Sequence, residues 1–182
     1  MDVTIQERSM SLFTEYDIEA PGTSLYAKKQ FFSLLSKVEL QSSTGQTVAR
    51  LQGQLSVLRN RYEFDLNDGR VFHFECTDRL RSVYECKGGE DVYTLYEHRG
   101  LDRSIFRNNV QIAAYTKSRI SLGKGHRYDI RMDSDADLTV IACMVLALSV
   151  AEDNDEEQAT VNVSFGNIGF QGREKDELWE PK

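Results

Sequence analysis

From Leu138 to Ala151 the chain reads LTVIACMVLALSVA, fourteen residues without a charge in a sequence that is 28% charged. A bilayer-spanning helix needs about 20 apolar residues, so this run is too short to cross a membrane. A surface helix carries one apolar stripe, whereas this run is apolar on every side. The pattern predicts a helix buried all the way round, with Val140, Ile141, Met144, Val145 and Leu148 as its core residues. Ser134 stands where it can cap that helix, and Asp135 and Asp137 place negative charge at its positive end. The acids from Glu152 to Glu157 suit the negative end of a helix poorly, so that run is expected as a solvated loop.

Upstream, the sequence alternates as half-buried strands do. In RYEFDLN, Tyr62, Phe64 and Leu66 point one way, and Arg61, Glu63 and Asp65 the other. In RVFHFEC, Phe72, Phe74 and Cys76 share a face opposite His73 and Glu75. Asn67-Asp68-Gly69 between them signals a tight hairpin, because glycine accepts positive φ. Further strands are expected at residues 11–18, 25–41, 47–57, 82–86, 92–98, 103–107, 110–117 and 127–132, with turns at Gly88-Gly89 and Asn108-Asn109. The opening MDVTIQERSM is mixed polar and lacks the layout of a signal peptide. Beyond the helix, residues 160–165 (TVNVSF) alternate as a late strand, and Trp179 can pin the final GREKDELWEPK to the body.

About ten short antiparallel strands followed by one all-apolar helix predict a mainly β fold, a closed barrel enclosing that helix. Closure removes sheet edges, and a wide barrel has to be filled. Fourteen helical residues span about 21 Å, a suitable length for the lumen. The length suits a single domain over residues 1–182, with residues 170–182 read as a flexible tail. A 40% hydrophobic content excludes a disordered chain. Residues 152–182 hold nine acids and three bases, a net of −6, which leaves −1 of the total −7 for residues 1–151. That balance argues against a nucleic-acid partner.

Residues 127–154, RYDIRMDSDADLTVIACMVLALSVAEDN, present a strand with a Tyr-x-Ile pattern, an Asp-rich cap, an apolar helix and an acidic end. That order resembles the LURP-one-related family of the tubby C-terminal-like superfamily, which also contains the phospholipid scramblases. YAKKQFFSLLSKVELQSSTGQTVARLQG at residues 26–53 and the hairpin over residues 62–74 add to the likeness, which covers residues 25–151. The resemblance implies a barrel of about twelve antiparallel strands around a central helix, and no shared catalytic motif. Some members of that superfamily bind phosphoinositides by lysines and arginines on the barrel surface, although no residue here is matched one to one with those. The expected strand after the helix departs from the pattern, as does the missing cysteine-rich segment and terminal membrane helix of the scramblases.

The chemistry-bearing residues form few constellations. Cys76, Cys86 and Cys143 make no Cys-x-x-Cys pair and no Cys/His cluster, so they read as reduced thiols of a cytoplasmic protein, with no metal site and no cofactor. His73, His98 and His126 read as surface histidines. No G-x-S-x-G elbow is present. Gly123-Lys124-Gly125 lacks the strand–loop–helix setting of a phosphate loop. Asp133-x-Asp135-x-Asp137 lacks the glycine of a calcium loop and reads as helix capping. One charge feature differs. From Arg103 to Tyr128 there is no acid, but Arg103, Arg107, Lys117, Arg119, Lys124 and Arg127 are all basic. Such a stretch is a candidate site for anionic lipid headgroups, or else a solvated face that keeps strand edges apart. The expectation is therefore a non-enzymatic, cytoplasmic binding or scaffolding domain that recognises an anionic phospholipid, such as a phosphoinositide, or a protein. A small-molecule barrel carrier and a hydrolase are the alternatives.

Overall fold

The structure is a computed structural model that describes residues 1–10, 13–30, 36–54, 61–78, 82–119, 125–158 and 172–182. Its strands are β1 (Asp2–Met10), β2 (Phe13–Ala20), β3 (Thr23–Gln30), β4 (Lys37–Ser42), β5 (Thr47–Gln54) and β6 (Arg61–Leu66). They continue as β7 (Val71–Cys76), β8 (Val83–Gly88), β9 (Asp91–Glu97), β10 (Asp102–Arg107), β11 (Val110–Arg119) and β12 (His126–Met132), before the helix α1 (Leu138–Gln158). The twelve strands form a closed barrel in sequence order. Every neighbouring pair is antiparallel, and β1 closes the ring against β12, with Ile5 opposite Tyr128. A sheet closed on itself has no edge strand to protect.

The alternation read in the sequence sets which side chains face inward. Tyr62, Phe64 and Leu66 of β6 are buried, as are Phe72, Phe74 and Cys76 of β7. Phe64, Phe74 and Tyr84 stack across three neighbouring strands, with ring centroids 5.8 and 5.5 Å apart. The outward residues are mostly polar and laced with cross-strand ion pairs, among them Arg8–Asp17, Lys28–Glu15 and Arg61–Glu75. Such exposed pairs contribute at most about 1 kcal/mol each. All three expected turns are present. Gly69 has φ +87°, Gly89 +61°, and Asn108 and Asn109 have φ 50° and 69°.

The helix fills the lumen. Val140, Ile141, Met144, Val145 and Leu148 are all buried, as is each residue from Val140 to Ala151. A helix enclosed by a barrel has no solvent side, so it needs no polar face.

Several expectations need correction. Strand β1 is present where the opening sequence read as mixed polar; its inward set is Val3, Ile5 and Glu7, and the buried acid disguises the alternation. The single strand expected at residues 25–41 is two, β3 and β4. Ser134 is not the cap. Asp137 Oδ1 accepts the N–H groups of Thr139 (3.0 Å) and Val140 (3.2 Å), because it directly precedes the first helical residue. The acids from Glu152 to Glu157 lie within α1 rather than in a loop. The late strand expected at residues 160–165 lies outside the described residues.

Candidate functional site

The basic stretch is divided between the inside and the outside of the barrel. Strand alternation decides this: Arg103 lies two residues from Ile105, and Lys117 two from Tyr115, so both share the inward face. Arg103 is 6% exposed and Lys117 7%. Both meet Glu152 of the central helix. Arg103 Nη2 donates to Glu152 Oε1 at 2.5 Å, and Lys117 Nζ to Glu152 Oε2 at 2.6 Å. Arg103 also donates to Glu97 Oε1 on β9 at 3.2 Å. The rings of Tyr115 and Tyr128 lie 5.7 and 5.9 Å from these cations, and Tyr128 hydrogen-bonds Ser149 Oγ on the helix at 2.8 Å.

Two acids and two bases thus neutralise one another inside the wall, but the acids are not equivalent. Burial alone would raise the Glu152 carboxyl, yet Arg103 and Lys117 outweigh it and hold the group below the usual carboxylate range. For Glu97 burial prevails over Arg103, and its carboxyl is pushed up. The two bonds to Glu152 offset the cost of burying its carboxylate.

The other bases go elsewhere. Arg107 lies at the barrel end where the helix begins, with Nη2 3.4 Å from Asp135 Oδ2. Arg127 points outward and pairs with Asp129 at 2.7 Å. Arg119 pairs through its backbone with His126 across β11 and β12. Lys124 lies outside the described residues. The expected single patch is therefore not formed by Arg103, Arg107, Lys117 and Arg127: two are buried, and the other two meet carboxylates at separate places. The period-two spacing of Arg103 and Lys117 with apolar residues was the signal that placed them inside.

A second cluster lies on the outside of β9 and β10, beneath residues 172–182. His98 is 2% exposed and Ser104 3%, which corrects the reading of His98 as a surface histidine. His98 Nδ1 lies 3.1 Å from the Arg173 carbonyl oxygen, so that nitrogen carries the proton. Nε2 is then the acceptor for the Ser104 hydroxyl at 2.7 Å. This is the arrangement of a nucleophile, a base and an orienting carbonyl, but it is sealed beneath the terminal segment. Burial pushes the His98 imidazole down. The same segment sets the Arg173 guanidinium 4.0 Å above the Phe106 ring and 5.8 Å from that of Tyr96. Lys175 Nζ donates to Asp102 Oδ2 at 2.8 Å. Further along, Lys182 N–H donates to Asp133 Oδ1 at 2.8 Å, and Ser134 N–H to the Lys182 carbonyl at 2.9 Å.

A recess of about 270 Å³ on the wall is lined by Gln54, Arg61, Tyr62, His73, Phe74 and Glu75. It is smaller than the usual ligand pocket of about 300–1,000 Å³, and Arg61 and Glu75 within it pair with each other at 2.9 Å. Among the described residues, no group of His, Cys, Asp and Glu could hold a metal ion, and no helix is long and apolar enough to cross a membrane.

Fold and site define a class, a twelve-stranded closed barrel built around a central helix. Comparison with family models, curated proteins and solved structures returned no match for this chain.

Proposed function

We propose that this protein is a non-enzymatic binding or scaffolding domain whose partner docks on the outside of the barrel. One observation carries the reading: the lumen, where a barrel carrier would hold its ligand, is occupied by the apolar residues of α1. The wall cations nearest the helix are neutralised by Glu97 and Glu152, which leaves recognition to the outer surface. The likeness to the LURP-one-related proteins supports the same reading. A protein partner is favoured over an anionic phospholipid, because the bases that a headgroup would need are divided between the interior and paired surface positions. A cytoplasmic location is proposed with it, supported by the buried thiols of Cys76, Cys86 and Cys143.

Native mass spectrometry of protein purified from cells tests this reading, and no stoichiometric small molecule is expected. A ligand retained in the lumen overturns it in favour of the carrier. Flotation with phosphoinositide-containing vesicles at two salt concentrations tests the choice of partner. Salt-sensitive flotation that the triple variant Arg119→Ala, Lys124→Ala, Arg127→Ala abolishes would assign the surface to lipid.

A second reading, hydrolysis through Ser104, rests on the His98–Ser104 hydrogen bond alone. Labelling of Ser104 by a fluorophosphonate probe would establish it.

A further inference from the structure

Residues 172–182 lie across the outside of the barrel as a strap with little burial of its own. Residues 172–178 and 180 are exposed, and Leu178 is 90% exposed. Yet the strap covers His98, Ser104 and Phe106, which are buried beneath it although they belong to the outer side of the wall. The twelve-stranded ring closes without it. A segment that a barrel does not need for closure, and that rests on a few polar contacts, is suited to displacement.

Those contacts are specific. A Cβ on Gly172 would stand 2.4 Å from a Val83 methyl carbon and 3.4 Å from the Tyr96 ring, so only glycine lets the backbone approach β8 and β9 this closely. Arg173 lies over Phe106, whose ring meets Tyr96 edge to face at 5.4 Å. A guanidinium over an aromatic face is attracted by the ring's quadrupole. The Arg173 carbonyl accepts from His98, and Lys175 reaches the Asp102 carboxylate. Backbone approach, aromatic pair, imidazole donor and carboxylate together read the order Gly-Arg-x-Lys.

We propose that the outer face of β8 to β10 is a recognition groove for an extended peptide segment of the form Gly-Arg-x-Lys, which residues 172–175 occupy in cis. The assignment rests on the protein-partner reading above and names its site. The strap is then a built-in competitor, and a partner binds by replacing it. In the occupied state the groove also keeps Ser104 and His98 out of solvent.

The test uses the full chain and its variant Gly172→Val/Arg173→Ala, in which the strap loses two anchors. The probe is a fluorescein-labelled peptide of residues 172–182. The variant is expected to bind this peptide at least tenfold more tightly than wild type, because the cis competitor is weakened. Adding Asp102→Asn to the variant, or replacing both basic residues of the peptide by alanine, is expected to lower binding by tenfold or more. If the double variant loses its cooperative melt, Lys175→Ala in the full chain removes the ion pairs to Asp102 and Glu177 and preserves the same ordering. Equal binding by wild type and variant overturns the groove, as does binding indifferent to Asp102→Asn. A wild-type dimer with exchanged straps, seen by light scattering, assigns the groove to a second copy and overturns the foreign-peptide assignment. A chain without a lumenal ligand that ignores the peptide loses only the groove, whereas a lumenal ligand removes the binding-domain reading whatever the peptide does.

Discussion

Arg103 on the barrel wall and Glu152 on the central helix, 49 residues apart in sequence, meet at 2.5 Å inside the barrel. The bond ties the strand where the basic stretch begins to the helix that fills the lumen. Lys117 on the next strand holds the other oxygen of the same carboxylate. The helix is thus positioned by apolar packing from Val140 to Ala151 and by two charged bonds at Glu152.

Glu152→Gln is expected to destabilise the protein by about 3 kcal/mol, because it leaves Arg103 and Lys117 buried with a single acid between them. Glu97→Gln should cost clearly less, since burial already makes its charged form unfavourable. The pH dependence follows from the two directions. The Glu152 carboxyl is held below its unfolded value, so its contribution is present above the ordinary glutamate pKa of about 4.3 and is lost as pH falls through the lower folded value. The Glu97 carboxyl is raised, so protonating it favours the folded state and partly opposes that loss. Denaturant melts of wild type and both variants between pH 7 and pH 3 check this. Equal costs for the two substitutions would contradict the assignment.

Met144→Asp is expected to abolish the folded state. Met144 is fully buried inside the barrel, and an unpaired buried charge costs several kcal/mol against a total stability of about 5–15 kcal/mol. A Met144→Asp chain that still melts cooperatively in differential scanning calorimetry would remove the central-helix account.

Three thiols per chain are expected to react under denaturing, non-reducing conditions. Cys76 and Cys86 face inward on neighbouring strands in offset register, opposite Tyr84 and Phe74 respectively, and Cys143 lies in the helix. Burial pushes the Cys86 and Cys143 thiols up, which further slows their reaction in the native state. A count of one would reveal a disulfide and contradict the reducing compartment.

Acidification is expected to loosen the strap. Burial lowers the His98 imidazole; the Arg173 carbonyl, Asp102 and Glu177 favour its charge, and Lys175 opposes it. For a base lowered in the docked state, the stabilisation is full above the ordinary value of about 6.5 and declines as pH falls below it. Trp179 fluorescence should therefore change between pH 7.5 and pH 5.5, and His98→Gln should remove the change. A flat profile in wild type would exclude His98 as the titrating group.

Much of this fold is legible in the sequence because its signals are local. Period-two alternation separates Phe64 from Glu63, turn residues such as Asn108-Asn109 carry the positive φ they favour, and an all-apolar run has to be buried on all sides. Those features determine strands, turns and a central helix by themselves. The inner charges follow a different rule. Glu7, Arg103 and Lys117 sit at inward positions with acceptable energy only because partners from distant strands and from the helix come within bonding distance, and no local pattern encodes that meeting. The same holds for His98, whose burial depends on a strap 75 residues away. Alternation could assign Arg103 to the inner face, but only the closed barrel decided that Glu152 would be there to receive it. The candidate basic patch was read from composition along the chain, while surface charge depends on which face each strand turns to water.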